Sequence, residues 1–408
     1  MIKKIYVTFL ALLIATSNCY ATTEFVSTFN KTGQCYSSIQ TWEGAMDNAG
    51  DLTDATVFTG DWDNQVNSDI ADGTAVTWDS GSSGGTLVHM TATQYLIDVT
   101  SGSLADNDTI TDGTNTFDID GTPDDVILVL EIYSDSGKVS GGYLLDANGN
   151  TCDTTNYLWV RGAEEDRHDG TAGSGVWIET TTAQYMFVVR TGGTFKVSWL
   201  EFTDTNGAAS ANPLFPANGT TFISEYIIAH SIRPWWAIHI AGIYYNFGAH
   251  AWGGIFYNCS IYADGDDCGW SNEICCHTCT AYNTVLFNEN ANSIYGNFYN
   301  GSGDYNMSND TSSPGANSID SQALTDIDWV SVESGTEDLH IETTSTAKDA
   351  GDDQSGVLTK DIDQETFGDD DTWDIGADEY VSATPATPSL TKIILISKLW
   401  LEALKAGI

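Results

Sequence analysis

Positive charge is almost missing from this chain. Its 408 residues carry 14 lysines and arginines against 57 aspartates and glutamates, a formal net charge of −43 at pH 7. Such a field repels phosphate backbones, so no nucleic-acid partner is expected, and it repels polyanionic glycans unless metal ions intervene. Long apolar runs are equally rare. Beyond the N-terminus nothing approaches the roughly 20 apolar residues that span a bilayer, so no transmembrane span is expected. Proline, at 7 residues, is sparse, while Gly, Thr, Ser, Asn and Asp abound between short apolar runs. That composition reads as strands separated by tight turns, an all-β chain.

The one long apolar run lies at the N-terminus, where Met1-Ile2-Lys3-Lys4 precedes Ile5 to Ala15 and a polar stretch ends in Ala21. A basic start, an apolar centre and a small residue before the cut describe an export signal over residues 1–21. The expected location is secreted or extracellular, on a cell or particle surface. At the other end, residues 382–408 read as a Pro/Thr/Ser linker and a short apolar tail, with Ile393, Ile396, Trp400 and Leu404 at helical spacing.

One helix is expected, at Ser37–Met46. Ser37 and Gln40 suit a capping box, and Ile39, Trp42 and Met46 share a face that could close the open end of a stack of strands. From Gly73 to Asp120 the runs Val76-Thr77-Trp78, Gly84–Val88 and Tyr95–Val99 sit between Gly-, Ser- and Asp-rich turns, the pattern of a small β-module. From Val126 onward strand candidates recur. Gly254–Tyr262 is echoed by Thr280–Phe287, and Asn258 and Asn283 stand 25 positions apart. One repeat per coil would stack Asn on Asn, set Ile261 over Leu286 and place Tyr262 beside Phe287.

The strongest pattern lies at Ser345–Val381, where Asp349-Ala350-Gly351 is followed by Asp361-Ile362-Asp363 and then Asp374-Ile375-Gly376-Ala377-Asp378-Glu379-Tyr380. This stretch resembles the C-terminal end of secreted right-handed parallel β-helix repeat proteins of bacterial and viral type, which share the pectate-lyase-like fold. Cys35-Tyr36-Ser37-Ser38-Ile39 with Trp42-Glu43, Arg161–Gly170 and Tyr305–Gly315 resemble the same family, and the 73–120 module is similar to decorations of viral tail and surface proteins. The resemblance implies an all-β right-handed parallel β-helix with an N-terminal amphipathic cap helix and a small inserted module. Its parts would be a cap and first coil (22–72), the module (73–121), the coils (122–310) and a C-terminal coil and cap (311–381). It also implies a terminal-cap role for Asp352-Asp353 and Asp369-Asp370-Asp371. Pectate lyases, polygalacturonases and phage depolymerases share the fold, so it does not settle an activity.

The aromatic segment around Trp235, Trp236, His239 and Trp252 is the candidate glycan-binding site, because adjacent tryptophans on a strand cannot both point inward. Asp264, Asp266 and Asp267 could hold Ca²⁺ through their carboxylates, the one cofactor the acidic surface suggests. Arg233 with Asp264 and Asp267 is the candidate catalytic set for a Ca²⁺-dependent lyase, whereas a hydrolase would need two or three converging carboxylates. Cys259, Cys268, Cys275, Cys276 and Cys279 are disulfide candidates, with zinc the alternative that His277 raises. The functional expectation is a secreted or particle-surface protein that engages a polysaccharide or cell-surface glycan without catalysis. A polysaccharide lyase or glycoside hydrolase on the same flank, and a purely structural surface protein, are the alternatives. Oligomeric state stays open.

Overall fold

The computed structural model describes residues 23–381 apart from 33, 54–55, 125, 142–143, 148, 181–186, 191–192, 205–213, 217–219, 231–236, 246–250, 253, 264–275, 290–295 and 369–370. It is built of strands with few helices. One parallel sheet of nine strands runs in chain order through Thr23–Phe29, Val126–Ile132, Leu158–Gly162, Gly193–Ser198, Thr220–Glu225, Ala237–Ile240, Ile255–Tyr257, Thr280–Tyr282 and Ser302–Asp304. A second parallel sheet of eight strands, Val139–Gly141 to Met307–Ser308, takes its strands in the same order, and two three-stranded parallel sheets complete the stack. The chain thus returns to the long sheets in turn.

Alternation decides the faces. In Leu158–Gly162 the buried Leu158, Val160 and Gly162 alternate with half-buried Trp159 and Arg161. Register then stacks like on like. Phe25, Leu128, Leu158, Phe195 and Phe222 form one interior column, all fully or almost fully buried. Ile261 pairs with Leu286 and Tyr262 with Phe287, as the 25-residue echo leads one to expect.

Corners between the two long sheets are turned by single left-handed residues: Trp199, Tyr226, Ala241, Asn258, Asn283 and Tyr305, with φ between 45° and 59°. Asparagine tolerates this conformation better than other residues with a Cβ. Asn283 also donates to Asn258 Oδ1 at 3.3 Å and to the Asp352 carbonyl at 2.6 Å, and accepts from Asp352 N at 2.9 Å. Asn283→Ala should cost about 2–3 kcal/mol in urea unfolding, because both backbone groups of Asp352 lose their partner.

The first helix, α1 (Ile39–Met46), buries Ile39, Trp42, Glu43 and Met46, but it starts one residue later than the sequence suggests. Ser38, not Ser37, is the N-cap. Its Oγ accepts from Thr41 N, and Thr41 Oγ1 accepts from Ser38 N, both at 3.0 Å. Thr41 thus takes the place expected for Gln40.

The module between the first two strands of the long sheet is a closed antiparallel barrel: Val57–Val66, Thr74–Trp78, Ser83–Met90, Gln94–Ser101, Thr109–Thr111 and Thr116–Asp124. It begins at Val57 rather than at 73, since Val57–Val66 pairs antiparallel with Gln94–Ser101 and Thr116–Asp124. It has its own core, around Trp78, Tyr95 and Phe117.

The C-terminal segment does more than close an end. Ile327, Trp329, Leu339, Ile341, Ile362 and Ile375 lie on Ile228, Ile243, Tyr245, Tyr262, Val285 and Phe287 of the eight-stranded sheet, and Asp338 reaches back to bridge Thr171. With both faces covered, those strands read as continuous apolar runs.

Candidate functional site

The outer face of the nine-stranded sheet carries an array of charged and aromatic side chains. Its rows follow from register: Trp159 stands beside Lys196, and Arg161 between Glu131 and Ser198. Arg161 Nη2 lies 2.7 Å from Glu131 and 2.9 Å from Glu24, with its side chain only 12 % exposed. Lys196 Nζ lies 2.6 Å from Glu225. The Trp159 indole donates to Ser198 Oγ at 2.7 Å, and the Arg161 guanidinium and Lys196 ammonium sit 4.4 and 4.6 Å from the ring centroid. Burial alone would pull the Arg161 pKa down, but the two glutamates outweigh it and hold it above its ordinary value.

Neighbouring structure frames this patch. On one side the barrel's Gln94 bonds the Val26 amide and the Glu24 carbonyl of the edge strand. On the other, Leu358, Phe367 and Trp373 of the C-terminal segment cover Ile240 and pack against Ile238 and Tyr257. Each glutamate in the patch is engaged by a cation, so none is free to act as a general base. The arrangement suits recognition: donors, acceptors and an aromatic ring on one face of a sheet.

A second constellation lies beneath the C-terminal segment. His230 stacks between Trp177 and Tyr245, its Nε2 2.8 Å from Glu201 and its Nδ1 3.9 Å from Glu337. Glu201 is fully buried and also accepts from Gly173 N, while Glu337 accepts from Gly335 N. Two carboxylates flank one imidazole here, inside the protein, where they tie the segment to the sheet.

The acids of the C-terminal pattern serve the backbone. Asp361 accepts from the amides of Asp363, Glu365 and Glu379; Asp374 from those of Asp349 and Tyr380; Glu379 from those of Gly368 and Asp374; and Asp378 from that of Ile341. Among the described residues, two groups could hold a metal ion, His340 with Asp363 and Asp378, and Asp361 with Asp363 and Glu365, their ligand atoms within 4.8 Å of one another. Asp352 has its own role, in the Asn283 contact.

Of the residues singled out from sequence, Arg233, Trp235, Trp236, Asp264, Asp266, Asp267, Cys268 and Cys275 lie outside the described residues, as do residues 1–21, where an export signal is expected, residues 382–408, Asp369 and Asp370. Trp252 falls in the short strand Ala251–Trp252. His239 needs correction. It is fully buried in an interior column between Ser224 and Phe256, within 2.6 Å of Ser224 Oγ and 2.7 Å of Tyr244 OH, and burial pulls its pKa down to about 3. A neutral core histidine cannot contact an external glycan. Cys276 and Cys279 form a disulfide, while Cys259 is a free thiol in the core. Trp159, Arg161 and Lys196 were missed from sequence, although the alternation of Leu158–Gly162 already pointed Trp159 and Arg161 outward.

No protein-family model, no curated protein and no solved structure matches this chain. Among the described residues, no helix is long and apolar enough to cross a membrane.

Proposed function

We propose that the chain is an exported right-handed parallel β-helix that engages polysaccharide without cleaving it, through the Trp159 face of its long sheet. The observation that carries this reading is the patch itself, with Trp159, Arg161 and Lys196 half-buried side by side on a parallel sheet. The in-order return of the chain to both long sheets supports the helix, and the basic-then-apolar N-terminal segment supports export. Sugars offer a C–H face to an aromatic ring and hydroxyls to charged donors and acceptors, and the patch supplies both. Pairing of Glu24, Glu131 and Glu225 with cations favours binding over lyase or hydrolase chemistry on this face, since the cleavage reactions need a free base or a free carboxylic acid.

Affinity electrophoresis through gels containing plant, marine and bacterial polysaccharides tests the reading. Retention by at least one neutral glycan is expected, falling tenfold or more in Trp159→Ala and in Lys196→Ala. Retention that survives both substitutions but disappears in the Trp235→Ala, Trp236→Ala double variant would move the site to that segment. Retention by none would overturn the reading, and release of reducing ends would replace it with catalysis.

A further inference from the structure

Three side chains of the C-terminal segment bring acceptor atoms together from separate stretches of chain. His340 lies on the strand Asp338–Ile341, Asp363 in the turn near Asp361, and Asp378 in the last stretch before Tyr380. Backbone contacts lay these stretches side by side. Ile341 N donates to Asp378 Oδ2 at 2.7 Å, Ile362 N to the Ala377 carbonyl at 2.9 Å, and Asp363 N to Asp361 Oδ1 at 3.2 Å.

Each of the three keeps an atom without a donor. His340 Nδ1 bonds Asp338 Oδ1, which fixes the ring and turns Nε2 to the cluster, and Nε2 is buried with no hydrogen-bond partner. Asp363 Oδ1 is likewise buried and unpartnered. Asp378 is only 5 % exposed, and the Ile341 amide is the one hydrogen-bond donor to its carboxylate among the described residues, so its second oxygen has none. Converging buried acceptors are tolerated only when a proton or a cation sits among them.

Distance decides for the cation. His340 Nε2 lies 3.9 Å from Asp363 Oδ2, too far for a hydrogen bond even from an imidazolium. Two ligand atoms bound at about 2.1 Å to one ion stand about 3–4 Å apart, which matches. All three ligand atoms lie within 4.8 Å of one another, and a small turn of the half-buried Asp363 carboxylate closes the remaining gap. Gly170 leaves room beside the ring, since a Cβ there would stand 2.5 Å from Nε2.

We propose that His340, Asp363 and Asp378 bind one divalent transition-metal ion, of the Zn²⁺ class, that clasps the C-terminal segment together. The donor set selects the ion. One imidazole nitrogen with two carboxylates suits Zn²⁺, whereas Ca²⁺ collects about six to eight oxygens and Mg²⁺ keeps most of its water. Asp338 on the far ring nitrogen is the outer carboxylate that zinc-binding histidines commonly have. Two carboxylates balance the two charges of the ion, and any proton on Nε2 leaves as it binds. The His340 and Asp363 side chains are 19 % and 28 % exposed, so the ion can enter from solvent and keep a water as its fourth ligand. Bound there, it joins three stretches of the segment that packs on the eight-stranded sheet.

The site shares no residue with the Trp159 patch and does not depend on glycan binding. Hydrogen exchange of the full chain, stripped with EDTA and returned to chelator-free buffer at pH 7.5, tests it with Zn²⁺ as the probe. Adding Zn²⁺ should raise protection over 338–341, 361–365 and 374–380 together, at least tenfold. Asp363→Asn and His340→Gln should each weaken Zn²⁺ binding at least tenfold by calorimetry and abolish the gain in protection. Cys268 and Cys275 offer thiols of their own, so the place where protection appears is decisive, and it is read on the unaltered chain whether or not a variant folds. Protection gained only over 259–279, gained equally in both variants, gained with Ca²⁺ but not with Zn²⁺, or gained nowhere would each overturn the proposal.

Discussion

Phe195→Ala is expected to destabilise the protein by about 3–5 kcal/mol, read as a lower urea midpoint at an unchanged slope. Phe195 is fully buried and lies in register between Leu158 and Phe222, with the Phe222 ring 5.5 Å and the Phe187 ring 6.4 Å away. Its contacts therefore run along the stack and across the interior at once. Each parallel neighbour is held at the sheet spacing of about 4.8 Å by its own backbone ladder, so the column cannot close over a missing ring. Phe195→Leu, which keeps most of the volume, should cost about 1–2 kcal/mol. Equal losses for the two substitutions would mean that the column is not packed as described.

Alkaline pH is expected to release the C-terminal segment from the sheet it covers. Burial raises Asp361 to about 9, with Asp363 adding to it, and raises Asp374 to about 6 and Asp378 to about 7. An unfolded aspartate titrates near 3.9, so between about pH 4 and pH 9 the native segment holds protons that the unfolded chain has lost. Stability contributed by these groups is full below about pH 4 and declines as pH climbs through 6, 7 and 9. His340 acts in the same direction. Burial opposes its charge, but the Asp338 contact and the Asp378 and Asp363 charges raise it to about 9, so its contribution is present below about 6.5 and lost through 9. Carboxylates held low, such as Asp112 by the amides of Asn115 and Thr114, lose their contribution only below about pH 4. Asp374 alone, raised from about 4 to about 6, accounts for on the order of a hundredfold in the opening equilibrium. Hydrogen exchange over 338–380, corrected for the intrinsic rate, should show protection falling at least that far between pH 5 and pH 9.5. Constant protection would mean that these carboxyls are charged throughout, as a bound cation at His340, Asp363 and Asp378 would make them.

Local patterns carried much of the architecture. Turn-rich composition and strand-length apolar runs are enough for an all-β chain, and the echo of Gly254–Tyr262 in Thr280–Phe287 is enough for the register of Ile261 with Leu286, because a parallel stack repeats the same packing problem at each level. The helix, too, was legible to within one residue, since its cap and its apolar face are local. His239 was misjudged for the complementary reason. Its neighbours Trp235 and Trp236 suggested a surface, whereas its own strand position, two residues after Ala237 on Phe222 and opposite Ser224, sends it inward.

What tertiary structure alone decided are the contacts between residues far apart in the chain. The sequence by itself determined composition class, strand periodicity, the charge field and the acidic C-terminal pattern, all of which are short-range or additive properties. It could not show that Val57 already belongs to a closed barrel, because membership depends on antiparallel partners, Asp98 for Val57 and Ile97 for Phe58. Nor could it show that the C-terminal segment runs back over the eight-stranded sheet, or that the barrel's His89 is delivered to the rings of Phe25 and Tyr36. Phe25, Tyr36 and His89 carry no motif in their spacing. Their proximity follows from where the barrel docks, and docking is set by the summed packing of a seam rather than by any one stretch of residues.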